Sequence, residues 1–217
     1  MAPQAKRDLG TRLADYGYGY GYGYGYGYGY GYGYGYGCSP NSIHVKLAGM
    51  SVFLETPRLT FETLSLEAHL ETLYRLHSDA TVMRYIRAAD TAISQTRQAL
   101  EDLINYSQQF PTYGVFPARL KTTNEIIGWG LLIHVEKNPA NDIEVGYRLF
   151  QMHWGHGYAT EIAAALFKHA TNTLGLSKII AVTHPENHAS QRVLEKTGLK
   201  SDGETQYYGV AVKRFTS

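Results

Sequence analysis

The sequence predicts a mixed α/β domain over residues 50–217, preceded by a low-complexity stretch over 1–49, and three observations carry that prediction. A chain of 217 residues that is 44% hydrophobic and 18% charged has enough apolar material for one core. Eleven of its 19 Tyr and eleven of its 23 Gly fall in one unbroken Tyr-Gly alternation from Tyr16 to Gly37, so the whole-chain averages describe two materials. From Met50 onward, apolar residues recur at period 2 in some segments and at helical spacing in others, the mark of strands and helices sharing a core.

The tract itself is expected to be disordered. Gly at every second position makes an ordered backbone entropically costly and leaves a strand without a second face. A six-base repeat read through as protein would produce the same error-free dipeptide, which makes Met50 a candidate start; a sticky, self-associating tyrosine segment is the other reading. Lys+Arg 20 against Asp+Glu 19 leaves no general nucleic-acid footprint. The single cysteine, Cys38, lies beside the repeat, so the domain has no thiol nucleophile, intrachain disulfide or cysteine-based zinc site. No apolar run reaches the roughly 18 residues of a membrane span, and the first 15 residues lack a signal-type apolar core. A soluble cytoplasmic protein fits, without nucleic-acid or membrane partners.

The elements follow in order. Pro57 precedes an extended piece, Arg58 to Leu64, in which Leu59, Phe61 and Thr63 alternate with Arg58, Thr60 and Glu62. Ser65 is placed to cap a helix bearing Leu66, Leu70, Leu73 and His77, and Ser94 to cap a second bearing Leu100, Leu103 and Ile104. The polar stretch between them, 79–93, reads as mobile. Tyr113 to Leu120 and Glu125 to Glu136 read as an antiparallel hairpin turning at Thr122 to Asn124, and Asp142 to Phe150 as a further strand. A glycine-rich turn, QMHWGHGYAT (151–160), leads into a helix over 161–175; SKIIAVTH (177–184) is a short strand, and 185–198 is a helix with Asn187 as N-cap and Gly198 at its stop.

Strand, glycine-rich turn and helix in succession make an anion cradle, because Gly155 and Gly157 let the backbone bend close to a ligand while the helix offers free N–H groups and a positive dipole end. The dinucleotide fingerprint G-x-G-x-x-G fails at Thr160, and no Gly-Lys-Ser/Thr occurs anywhere, which argues against hydride transfer and nucleotide hydrolysis.

W-G-x-G-Y-A-T-E at 154–161, followed by N-x-x-S-x-x-V-L-E-K-x-G at 187–198, resembles the GNAT acyl-CoA-dependent N-acetyltransferases. The branch it looks most like contains the RimJ/RimL-type ribosomal-protein N-terminal acetyltransferases, to which LETPRLTFETL (54–64) and YYGVAVKRF (207–215) are also similar. The resemblance covers 50–217. It implies the GNAT fold, a central, mostly antiparallel mixed sheet flanked by helices and splayed between the strands at 143–150 and 177–184, with acetyl-CoA in the gap. The pantetheine arm would pair with the backbone of Tyr147, Arg148 and Leu149, and the pyrophosphate would rest on the amides of Gly155, His156, Gly157, Tyr158, Ala159 and Thr160. Asn187 would cap its helix and touch the cofactor. Trp154 stands where the family often has Gln or Arg, and reads as packing.

The implied reaction needs a neutral amine, stabilisation of a tetrahedral intermediate and protonation of the leaving thiolate. Glu144, beside the splay, is the candidate base through water, the alternative being a solvated strand carboxylate. Relatives often place a Tyr seven residues after the helix-starting Asn; here that position is Leu194, so Ser190 is the candidate acid, its alternative role being local helix-end bonding. A weak water-mediated base favours an α-amine of pKa about 7.8, which costs roughly 1 kcal/mol to deprotonate at pH 7, over a Lys-like amine near 10.4, which costs roughly 5. Residues 79–93 and the Tyr207-Tyr208 region would line the acceptor side.

His153, His156, His184 and His188 have metal-like spacing, but lie in the phosphate turn and at a strand-helix junction without Cys or HExxH; they read as solvated or structural, and no metal is predicted. Trp129 reads as core. The resulting reading is an acyltransferase that moves acetyl from acetyl-CoA to a protein N-terminal α-amine or a small-molecule amine in a direct ternary complex; a homodimer is compatible with it. The alternatives are a non-catalytic acyl-CoA-binding sensor, favoured by Leu194, and a self-assembling protein dominated by the Tyr-Gly tract.

Overall fold

A computed structural model describes residues 51–217; the expectations for the Tyr-Gly tract and the rest of 1–49 lie outside the described residues. The chain opens with strands β1 (Val52–Glu55) and β2 (Leu59–Glu62), an antiparallel hairpin of which only the second strand was legible as extended sequence. Helix α1 (Leu66–His77) starts where the sequence places it, because the Ser65 side chain accepts from the Ala68 N–H; Leu70, Leu73 and Leu76 are buried on one face.

Residues 79–93 depart from their reading as a mobile stretch. Asp79 caps a single-turn helix α2 (Ala80–Met83), Val82 and Met83 enter the core, and Asp90 is buried with Arg87, Thr96 and His77 around it. Polar residues at this spacing look solvated in sequence, but here Arg87 and Thr96 donate to the buried Asp90 carboxylate, and His77 lies 3.6 Å from it. Helix α3 (Ile93–Gln109) also begins earlier than expected: Ser94 lies inside the first turn, and it is the Gln95 side chain that accepts from the N–H groups of Thr91 and Ala92.

Strands β3 (Gly114–Leu120) and β4 (Ile126–His134) form the expected hairpin, with Asn124 in the left-handed conformation at its turn. β5 (Ile143–Leu149) pairs antiparallel with β4. Helix α4 (Tyr158–Lys168) begins before the predicted position 161 and is extended by one wide turn through Thr173. β6 (Ile179–Thr183) and helix α5 (His188–Lys196) follow as predicted, Asn187 accepting from the Ser190 N–H at the cap. The sheet is completed by β7 (Lys200–Tyr207) and β8 (Val210–Thr216), in the order β1-β2-β3-β4-β5-β6-β8-β7. Among the described strands only β5 and β6 run parallel, so the mixed, mostly antiparallel sheet of the predicted fold class is present.

Two apolar layers pack against this sheet. Leu59, Phe61, Leu132, Val145 and Leu149 meet Ile162 and Leu166 of α4, whereas Trp129 and Val115 meet Leu70, Leu73 and Leu100 of α1 and α3. Gly130 is required by the first layer: a Cβ there would lie 2.6 Å from both Ile162 Cγ2 and Leu166 Cδ1, so α4 can approach β4 only over a bare backbone. That approach fixes the height of the α4 N-terminus above the sheet, and hence the position of the glycine-rich turn.

Candidate active site

The parallel pairing of β5 with β6 consists of Ile143 with Ile179 and Glu144 with Ile180, and ends there. Beyond it β5 pairs with β4 alone, while β6 pairs with β8, so the sheet opens from Glu144 outward. Val145, Tyr147 and Leu149 contribute to the α4 layer; Glu144, Gly146 and Arg148 alternate to the opposite face. The opening therefore has chemistry on both sides.

On one rim stands the glycine-rich turn. Gly155 and Gly157 both have φ of 79°, and a Cβ at Gly155 would meet nothing within 4 Å, so the turn is open as well as sharply bent. The first hydrogen bond of α4 runs from the Glu161 N–H to the Gly157 carbonyl, which leaves the N–H groups of Tyr158, Ala159 and Thr160 ahead of the helical ladder. These donors and the positive helix end fit a phosphate group on geometry alone.

The turn is braced from outside in a way the sequence reading missed. Glu161 accepts from Thr56 Oγ1 at 2.6 Å, Arg58 N at 3.1 Å and Arg58 Nε at 2.5 Å, while another Arg58 nitrogen donates to the His156 carbonyl at 3.0 Å. The guanidinium also lies 4.4 Å from the centre of the Tyr158 ring. Burial alone would raise the Glu161 pKa, but the hydrogen bonds and the Arg58 charge outweigh it and hold the carboxyl below its ordinary value. Trp154, read from sequence as packing, is instead 45% exposed, and its indole N–H donates to the Leu149 carbonyl at 3.0 Å. That bond occupies a carbonyl on one of the three residues expected to pair with the pantetheine arm.

Across the gap, Asn187 and Ser190 open α5. The Asn187 side chain holds the Ser190 N–H at 3.1 Å, and the Ser190 hydroxyl lies 2.8 Å from the Tyr147 hydroxyl. Burial pushes the Tyr147 phenol up to about 12, partly offset by the bond to Ser190. Leu194 is buried against Ala181, Leu199 and Phe215, so that position contributes packing and no proton.

Glu144 is buried, not a solvated strand carboxylate. Removal from water pushes its pKa up to about 7, and a 2.5 Å hydrogen bond donated by Tyr208 works against that rise. Arg148, expected only for its backbone, has a buried side chain whose guanidinium lies 4.7 Å from the centre of the Trp129 ring. His77 below it is pushed down to about 3 by burial and the Arg148 charge, and as a neutral imidazole it accepts from Trp129 Nε1. Trp129 is accordingly core, with its polar edge satisfied.

Three of the four histidines with metal-like spacing engage separate partners: His153 lies 3.6 Å from Glu125, His156 Nδ1 contacts the Trp154 carbonyl, and His184 accepts from the Glu186 N–H; the fourth, His188, opens α5. Among the described residues no group of three or more His, Cys, Asp or Glu is arranged to hold a metal ion. No helix among them is long and apolar enough to cross a membrane.

Comparison with known proteins gives the family and the fold. The sequence model of the acetyltransferase (GNAT) domain matches residues 58–200. An uncharacterised N-acetyltransferase of Bacillus licheniformis is 30% identical over 162 residues, covering 74% of this chain and 89% of its own. One from Bacillus subtilis (strain 168) is 27% identical over 165 residues, covering 73% and 89%. Among solved structures, a GNAT-family acetyltransferase from Bacillus anthracis superposes with a TM-score of 0.64 at 23% identity, covering 76% of this chain and 97% of its own. The ribosomal α-N-protein acetyltransferase RimL gives 0.66 at 18% identity, covering 80% and 98%.

Proposed function

Because this chain belongs to the GNAT acetyltransferase family and is an N-acetyltransferase, we propose that it moves acetyl from acetyl-CoA directly to a primary amine in the opening between β5 and β6. The observation that carries the reading is a buried carboxylate at the apex of that opening, with a hydroxyl pair on the opposite face. The pyrophosphate would rest on the backbone of residues 155–160, and the pantetheine arm would run along Tyr147, Arg148 and Leu149, with Asn187 across from it. The Leu149 carbonyl would be shared with, or yielded by, Trp154.

In the reaction the amine nitrogen attacks the thioester carbonyl, the N–C bond forms and the C–S bond breaks. Glu144 takes the ammonium proton, through water, and Ser190 gives its hydroxyl proton to the thiolate. Its hydrogen bond to Tyr147 gives Ser190 a partner from which to recover that proton. Ser190→Ala is expected to slow acetyl transfer about tenfold or more with CoA affinity nearly unchanged; single-turnover thiol release beside CoA calorimetry measures both, and an unchanged rate removes Ser190 from the step.

A carboxylate near pKa 7 takes a proton from an α-amine of pKa about 7.8 at a cost of roughly 1 kcal/mol, against roughly 5 for a Lys-like amine. We therefore favour a peptide N-terminus or a small amine of similar basicity as acceptor. Calorimetric titration of acetyl-CoA and CoA into the full chain, followed by thiol release against peptide α-amines, amino-sugars, lysine and polyamines, tests this. Binding with fastest release on α-amines or low-pKa small amines is expected. Binding without release on any of these amines would overturn the choice of acceptor, and absence of binding would overturn the whole reading.

A further inference from the structure

Among the described residues four non-glycine positions have a left-handed backbone: Asn124, Glu136, Lys137 and Tyr208. Asn124 sits in a hairpin turn, where its side-chain type is at home. Of the other three, Glu136 and Tyr208 meet in one contact, and Lys137 follows Glu136. Glu136 and Lys137, with φ of 54° and 52°, follow β4; Tyr208, with φ of 54°, lies in the turn between β7 and β8. The Tyr208 N–H donates to Glu136 Oε1 at 2.8 Å, and the Glu136 N–H donates to the Tyr208 hydroxyl at 3.3 Å. Each such backbone costs on the order of 1 kcal/mol, so the two loops hold an arrangement that local preferences oppose.

That arrangement settles the direction of the next hydrogen bond. A backbone amide can only donate, so the bond from Glu136 occupies a lone pair of the phenol oxygen, and the phenol proton is directed to Glu144 Oε2 at 2.5 Å. We propose that Tyr208 is a positioning residue for Glu144: locked by Glu136, it favours the anionic carboxylate by donating to Oε2 and leaves Oε1 to receive the proton released by the amine. This rests on the reading of Glu144 as the base.

The groups around Glu144 make Tyr208 the main lever on its charge. Its cross-strand neighbours, Ile133 on β4 and Ile180 on β6, are apolar. The loop after β4 supplies Glu136 behind the phenol and then Lys137, whose amine is held down to about 8 by burial despite the Asp102 charge. Along its own stretch of chain the nearest charges are Asp142, two residues before it and paired with Lys178 at 2.6 Å, and Arg148, four residues and roughly 13 Å further on, over Trp129.

The test is the pH dependence of kcat/KM for one amine, the same in every series so that its own titration cancels, in wild type, Tyr208→Phe and Glu144→Gln. Losing the donor leaves burial unopposed, so the acid limb of Tyr208→Phe is expected to move up by about one pH unit. Its rate should fall about tenfold below wild type at pH 6 and rejoin it above pH 9, with KM for acetyl-CoA unchanged. A merely structural role would scale the whole profile down without moving the limb, and that result overturns the proposal. If Glu144→Gln is inactive and the Tyr208→Phe limb stays in place, the inference fails alone; if Glu144→Gln turns over normally, the reading beneath it fails. Should Tyr208→Phe not fold, Glu136→Ala removes the side-chain half of the clamp, the acceptor of the Tyr208 N–H, and leaves the backbone donor and the phenol in place; the looser phenol is expected to raise the limb, and a limb that does not rise overturns the proposal equally.

Discussion

Glu144→Gln is expected to lower turnover by about 100-fold or more, the usual contribution of a positioned base, while making the protein more stable at pH 8. The two effects have one cause. The carboxyl pKa rises from 4.5 to about 7 on folding, so between those values the folded state holds a proton that the unfolded chain has released. Stability then falls as pH rises through this window, and the full cost, about 3 kcal/mol at 1.36 kcal/mol per unit, is present above pH 7. Gln keeps an oxygen for the Tyr208 hydroxyl but never ionises. The variant should therefore melt higher at pH 8 by roughly 6–12 °C, given about 2–4 °C per kcal/mol for a domain of this size, and show little gain at pH 4.5. Single-turnover thiol release and thermal melting at the two pH values check both halves. Wild-type turnover would remove Glu144 from the mechanism, and equal melting at pH 8 would remove the buried anion.

That tension between stability and charge explains which parts of the site could be read from sequence. Local signals were legible wherever a residue acts on its neighbours: Ser65 and Asn187 cap the helices they precede, and Gly155 and Gly157 bend the turn they occupy. Ser94 misled for a related reason: the helix starts before it, and the longer Gln95 side chain reaches back to the amides of Thr91 and Ala92. Strand β7, KSDGETQY, is almost wholly exposed and shows no apolar alternation; its pairing with β8 makes it a strand. The buried charge network around Asp90 reads as a polar loop until Thr96 and His77 close over it.

The site itself depends on pairs far apart in the chain. Tyr208 and Glu144 are 64 residues apart, and Arg58 and Glu161 are 103 apart. Glu144 as an isolated letter is equally a solvated strand carboxylate; only the sheet order, which sets β5 beside β6 and brings the β7–β8 turn over it, buries it. The backbone bends of the turn at 155–160 are legible because they are local, and the side-chain contacts that brace it are not, because their partners lie about a hundred residues away.

The cradle can be tested without disturbing the fold. Gly157→Asp places a carboxylate at the start of α4, where a helix welcomes negative charge by about 0.3–1 kcal/mol, and Asp is among the residues that tolerate a left-handed backbone such as the φ of 79° here. Folding should be preserved. A phosphate seeking the same amides, however, would meet a competing acceptor and a like charge; at about 4 Å two unit charges near a protein surface repel by up to about 4 kcal/mol. A Cβ at this position lies 3.6 Å from an Arg58 nitrogen, and because that guanidinium already serves Glu161, it offsets the added charge only in part. The expected result is a loss of CoA affinity of roughly 30- to 100-fold with melting temperature maintained. Gly157→Asn, equal in size and in backbone tolerance but uncharged, should lose only a few-fold, which separates electrostatics from bulk. Calorimetry with CoA on both variants decides: equal affinities in Gly157→Asp and wild type would mean that the turn at 155–160 does not hold the pyrophosphate, whatever its shape suggests.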